Sequence, residues 1–123
     1  MDTDVMIEIL DRKSRLGAAA AKKLLESGEK VGTTSLAMHE ILFGLVKYGK
    51  PTDAVEPFPV FPFEGADAKI SSKLEVELEK EGTPIQRMDT MIAAIAINRG
   101  ARLYTFNSDH FTRMSKFGLR LLD

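Results

Sequence analysis

Short β-rich runs alternate with longer helical periods along this chain, and that alternation constrains the fold more than any other feature. Residues 14–27 (S-R-L-G-A-A-A-A-K-K-L-L-E-S) carry Leu16, Ala20 and Leu24 at helical spacing, with Gly28 as a stop. Residues 30–35 read as a short strand. A helix is expected from Leu36 to Tyr48, capped by Thr34 or Ser35 and ended by Gly49-Lys50-Pro51. Three prolines exclude a helix over residues 54–63, where Val60 and Phe61 suit a short edge strand. Further helices are expected over 65–81, with Ile70, Leu74 and Leu78 on one face and Gly82 as stop, and over 87–98, which is very apolar and ends at Asn98-Arg99-Gly100. A strand at 101–106, a helix at 108–117 stopped by Gly118 and a strand at 119–122 complete the series. The apolar run 5–10 is too short to assign. This order indicates an α/β domain with a mostly parallel sheet, and 123 residues suit one domain over 1–123.

Composition removes several chemistries. With no cysteine there is no disulfide, thiolate zinc site or cysteine nucleophile, and with only two histidines, His39 and His110, a histidine-rich metal site is not expected. The net charge of −1 gives no support to nucleic-acid binding, yet does not exclude it, because a bound cation brings positive charge to the place where phosphate approaches. No apolar run reaches the roughly 18 residues of a membrane helix, and the opening M-D-T-D is unlike a signal peptide. A soluble, cytoplasmic protein with no membrane partner is the expectation.

The acids and one amide are the chemically interesting groups. In an open parallel sheet, ligands bind beyond the carboxyl ends of the strands. Asp2 and Asp4 stand at the start, and Asn107 and Asp109 directly follow the expected strand ending at Phe106. Asp89 opens the apolar helix, where it either stabilises the helix dipole, by about 0.3–1 kcal/mol, or faces a pocket. Glu40 lies in L-A-M-H-E-I-L-F-G-L and either shares a solvent stripe with Lys47 or points inward. Its neighbour His39 is no catalytic partner, since adjacent helix positions do not face each other. His39 is expected at the surface or an interface, and His110 at the surface. Carboxylates scattered in sequence and gathered in space are what Mg²⁺ or Mn²⁺ needs, because hard cations take oxygen ligands.

Four segments in order carry a family resemblance: D-T-D-V-M-I-E-I-L, T-T-S-L-A-M-H-E-I-L-F-G-L, R-M-D-T-M-I-A-A-I-A-I-N-R-G and L-Y-T-F-N-S-D-H-F. The chain resembles PIN-domain proteins, and within them the VapC-type toxins of toxin–antitoxin pairs, over nearly its whole length. The resemblance implies a three-layer α/β/α sandwich and a metal-dependent ribonuclease. Asp2, Glu40 and Asp89 would be the catalytic carboxylates holding Mg²⁺ or Mn²⁺, with Asn107 and Asp109 at a further metal position and Asp4 and Thr105 in support. It also implies an RNA substrate, a cognate antitoxin and a homodimer. Two departures stand out. The fourth motif position is Asn107, a neutral ligand, so a second metal would bind weakly or through water on Asp109. The first acid normally ends a strand, but only Met1 precedes Asp2. A start farther upstream, or a partner chain filling the gap, is expected.

Two other classes remain open. D-T-D-V also reads as the nucleophile motif of haloacid-dehalogenase-like phosphatases, with Asp2 attacking phosphorus and Asp4 as general acid, although the only late acids are Asp109 and Asp123. A non-catalytic interaction module is the third reading. Residues 57–63 (P-F-P-V-F-P-F) and the face with Phe43 and Tyr48 suit either partner docking or plain packing. Lys22, Lys23, Lys47, Arg87 and Arg102 suit either phosphate contacts or solvated surface charge.

Overall fold

The computed structural model describes residues 1–122 and divides into two compact units, Met1–Phe61 and a second beginning at Pro62. Asp123 lies outside the described residues.

In the first unit, Asp2 caps a short helix, α1 (Thr3–Met6), which runs on as a π-helical turn over Ile7–Arg12 and closes at Lys13 in the left-handed region, φ 49°. The unassigned run 5–10 is therefore helical, and Val5 and Met6 are fully buried. α2 (Arg15–Glu26) starts on Ser14, whose hydroxyl accepts from Gly17 N at 3.0 Å. Its buried positions are Gly17 and Ala20, whereas Leu16 is 52% exposed, so the apolar face differs from the expected one. The cause is a close backbone approach: a Cβ on Gly17 would sit 2.1 Å from the Glu8 carbonyl oxygen and 2.9 Å from Ile9 N. Neither backbone atom can swing aside. Gly17→Ala is expected to destabilise the protein by about 3 kcal/mol, the upper end of ordinary overpacking. Urea unfolding measures this, and a loss below about 0.5 kcal/mol, typical of an uninvolved surface site, would rule the contact out.

β1 is only Thr33–Thr34, shorter than the expected 30–35, because Ser35 already begins α3 (Ser35–Lys47). Thr34 is the cap, its hydroxyl accepting from Ala37 N at 3.1 Å. Thr34→Ala should cost about 1 kcal/mol of stability, read as a lower melting temperature that Thr34→Ser largely restores. α3 buries Ala37, Met38, Ile41 and Leu45. β2 (Val60–Phe61) pairs with β1 in parallel, Thr33 opposite Val60, as an edge strand among the prolines.

In the second unit, α4 (Gly65–Lys80) packs along α5 (Arg87–Arg99). The buried stripe of α4 is Asp67, Ser71, Leu74 and Leu78. α5 buries Ile92, Ala93, Ala94, Ile95 and Ala96 and ends on Gly100, whose φ of 63° is a conformation that favours glycine. β3 is Arg102–Leu103 rather than the whole of 101–106. The expected helix 108–117 is broken into α6 (Ser108–Thr112) and a tighter 3₁₀ turn, Ser115–Phe117, as Met114 N bonds back to Phe111 O at 2.9 Å. β4 (Arg120–Leu121) pairs with β3 in parallel. Parallel pairs need crossover connections, and α3 and α6 lie within them. No helix of the described residues is long and apolar enough to cross a membrane.

Candidate metal centre

In the first unit, Asp2 and Glu40 meet through one residue. Asp2 is 7% exposed, and its Oδ1 accepts from Thr3 N at 2.8 Å, which fixes the carboxylate at the head of α1. Thr3 then donates its hydroxyl to Glu40 Oε1 at 2.8 Å. Glu40 is exposed on α3; of its two sequence readings, the structure favours an outward side chain tied to the chain start. Asp4 Oδ1 accepts from Val5 N at 2.7 Å, so that oxygen serves the local turn. Met1 is buried beside this group. Its amino nitrogen donates to Gly32 O at 2.7 Å, and burial lowers its pKa from 8.0 to about 6, opposed by Asp2 and Asp4.

In the second unit, Asp89 stands in the first turn of α5. His110 Nε2 lies 3.0 Å from Asp89 Oδ2, with the side chains 22% and 24% exposed. The expectation of a surface His110 is thus corrected: anchoring of α6 by the buried Phe111 turns its neighbour toward α5. Thr105 is buried, and its Oγ1 accepts from Asn107 N at 3.0 Å, which sets the turn into α6. Asn107 caps α6 by position and is exposed, as is Asp109. His39 is exposed, as expected.

Two further residues, Thr3 and His110, thus contact acids of the sequence-derived set. Thr3 stood in plain sight inside D-T-D-V. The signal for His110 was its place three residues after Asn107, on the first turn of a short helix.

Among the described residues no group of three or more His, Asp or Glu is disposed to hold a metal. The residues singled out from the sequence, Asp2, Glu40, Asp89, Asn107 and Asp109, all carry side-chain oxygens, the donor type that hard cations such as Mg²⁺ or Mn²⁺ take. The surface cations are less open than the sequence suggested. Arg87 forks onto Glu75 with three contacts of 3.0–3.2 Å, and this hydrogen bonding raises its pKa further, so a phosphate would compete with Glu75. Lys47 Nζ lies 5.8 Å over Phe43 and 5.7 Å over Tyr48. Phe43, Val46 and Tyr48 are 61%, 68% and 72% exposed, leaving an apolar face on α3.

The sequence model of the PIN domain matches residues 1–117. The chain belongs to the PIN domain family. That membership carries the α/β fold class expected from the sequence, and it displaces the phosphatase reading of D-T-D-V. The tRNA(fMet)-specific endonuclease VapC of Shigella flexneri is 27% identical over 130 residues, covering 100% of this chain and 95% of that protein. The fold is also that of a chain in VapBC2 from Rickettsia felis bound to a DNA fragment from its promoter (TM-score 0.80, 22% identity, 98% of this chain and 93% of the other). DNA-bound VapBC from Salmonella typhimurium matches similarly (TM-score 0.79, 24% identity, 98% and 92%).

Proposed function

We propose that this PIN-domain protein is a divalent-metal-dependent endoribonuclease, the toxin of a toxin–antitoxin pair, acting in the cytoplasm. The observation that carries the reading is the hydrogen-bonded group Asp2–Thr3–Glu40, which joins the first two acidic positions of the PIN motifs across 37 residues. A carboxylate held as a cap and a second one held by the neighbouring hydroxyl have no need of each other for folding alone. Similarity to a VapC endonuclease along the full chain supports the same class of substrate. The family match runs through both units, in keeping with one PIN domain over the chain.

Asp2, Glu40 and Asp89 would hold Mg²⁺ or Mn²⁺. When bound, such a metal activates water and stabilises charge on a phosphodiester. The chain's own work is positional and electrostatic. Thr3 orients Asp2 and Glu40 together, and the turn at Thr105 sets Asn107 at the start of α6. Carboxylates without a cation repel an RNA backbone, at about 1 kcal/mol per pair of charges 4 Å apart even in water, so cleavage requires the metal. Asn107 supplies an amide oxygen with no charge, and Asp109 is exposed beside it. These two suit a weaker, water-mediated second position.

The similar folds come from VapBC complexes, and a cognate antitoxin is the proposed partner here as well. The exposed apolar face of Phe43, Val46 and Tyr48 on α3 offers it, or a second copy in a homodimer, a surface to cover. The test is direct: purified protein is incubated with RNA in Mg²⁺, Mn²⁺ or EDTA. Cleavage with either metal and none in EDTA is expected. Cleavage that persists in EDTA would overturn the metal mechanism, and no cleavage of any RNA under any condition would favour the non-catalytic module.

A further inference from the structure

Resting on the metal-centre reading above, we infer that His110 is a positioning residue for Asp89, holding one carboxylate oxygen so that the other is presented to the cation. His110 Nε2 lies 3.0 Å from Asp89 Oδ2. An ionised carboxylate only accepts, so the imidazole must donate Nε2–H there. Occupying Oδ2 in this way stops the carboxylate from rotating and leaves Oδ1 as the oxygen without this partner. Metal-ligating carboxylates are commonly oriented by such a hydrogen bond, and loss of the orienting group typically weakens metal affinity.

The imidazole is itself held. His110 N and Phe111 N both bond to Asn107 O, at 3.2 and 3.3 Å, and Asn107 N is tied to Thr105 Oγ1. Phe111 is 1% exposed, and its ring meets the His110 ring edge-on, 5.5 Å between centroids at 89°. The short helix α6 is therefore pinned at both its start and its buried face, and it delivers one nitrogen to one oxygen. A contact of this kind, partly exposed and between single groups, contributes little to stability. Its geometry is better explained by what it does to Asp89 than by what it adds to the fold.

The test titrates Mn²⁺ into the metal-free full chain without RNA, comparing wild type, His110→Ala, His110→Gln and Asp89→Asn. His110→Ala is expected to weaken Mn²⁺ binding about 10–100-fold with an unchanged melting temperature of the metal-free protein. His110→Gln, whose terminal amide can donate near the Nε2 position, should recover most of the affinity. Wild-type affinity in His110→Ala, with binding lost in Asp89→Asn, would overturn the role of His110 and leave the metal centre standing. No Mn²⁺ binding by wild type would overturn both. An imidazole nitrogen coupling in the Mn²⁺ spin-echo spectrum that disappears in His110→Ala would make His110 a ligand and also overturn the positioning role.

Discussion

Asp2→Asn and Asp89→Asn are each expected to remove nearly all metal-dependent RNA cleavage and to leave the fold standing. Asparagine caps a helix as well as aspartate does, so Asp2→Asn keeps an acceptor for Thr3 N, the bond that Asp2 Oδ1 makes at 2.8 Å. Asp89→Asn likewise keeps an acceptor for His110 Nε2, which lies 3.0 Å from Asp89 Oδ2. What each variant loses is one negative charge at the proposed hard-cation site, where a neutral amide is a poorer ligand. Even disturbing a residue behind a metal ligand costs about 10–100-fold, so losing a ligand should reduce cleavage by more than about 100-fold. Asp2→Ala serves as the contrast. It loses the charge and also the cap of α1, so its melting temperature should fall, by the equivalent of about 1 kcal/mol. Cleavage rates in Mn²⁺ and thermal melts, measured on the same preparations, separate the two effects. Near-wild-type cleavage in either asparagine variant would remove that residue from the proposed site.

Asp67→Ala should be the most damaging single change to stability, at about 3–5 kcal/mol, the range for removing one partner of a buried charge pair. Asp67 is fully buried in α4. Its Oδ2 accepts from Glu64 N at 2.8 Å and its Oδ1 from Asn98 Nδ2 at 2.9 Å, while Arg99 Nη1 lies 3.5 Å away. One carboxylate thus ties the start of α4 to the end of α5. Removing it takes the acceptor from Glu64 N and Asn98 Nδ2. It also takes the buried counter-charge from Arg99, whose side chain is only 24% exposed. Asp67→Asn should cost less, because an amide oxygen still serves one of the donors. Equilibrium unfolding in urea is the measurement. A loss of only about 0.5 kcal/mol in Asp67→Ala, the size of a surface change, would show that the network does not hold these helices together.

Local periodicity made the longer helices legible to within a residue or two at their ends. The helix expected over 87–98 is α5, Arg87–Arg99, and its stop at Gly100 follows from a positive φ of 63°. The strands were less legible. The runs 30–35 and 101–106 have β-like composition, yet only two residues of each pair with a partner strand. Extended composition does not say where a neighbouring strand stops. Leu16 misled for a similar reason: helical spacing marked it as core, while the close approach of Gly17 to Glu8 turned the other face inward.

The donor chemistry of the candidate site was legible too. With no cysteine and two histidines, oxygen donors were the expected metal chemistry, and it was the resemblance to PIN domains that implied Asp2, Glu40 and Asp89 as the carboxylates. The partners of those acids were not. Thr3 finds Glu40 across 37 residues, His110 finds Asp89 across 21, and Asp67 finds Asn98 across 31. Asp67 carried no expectation from the sequence, and His110 was expected at the surface.

The sequence by itself determined the order of helices and strands, the places where most helices stop and the membership of the PIN family. Those properties depend on neighbours within a turn or two, or on motifs read in order. Only the tertiary structure decided which hydroxyl, imidazole or amide holds each carboxylate. Such pairs form where distant segments pack, and a hydrogen bond near 3 Å leaves no period along the chain to mark it in advance.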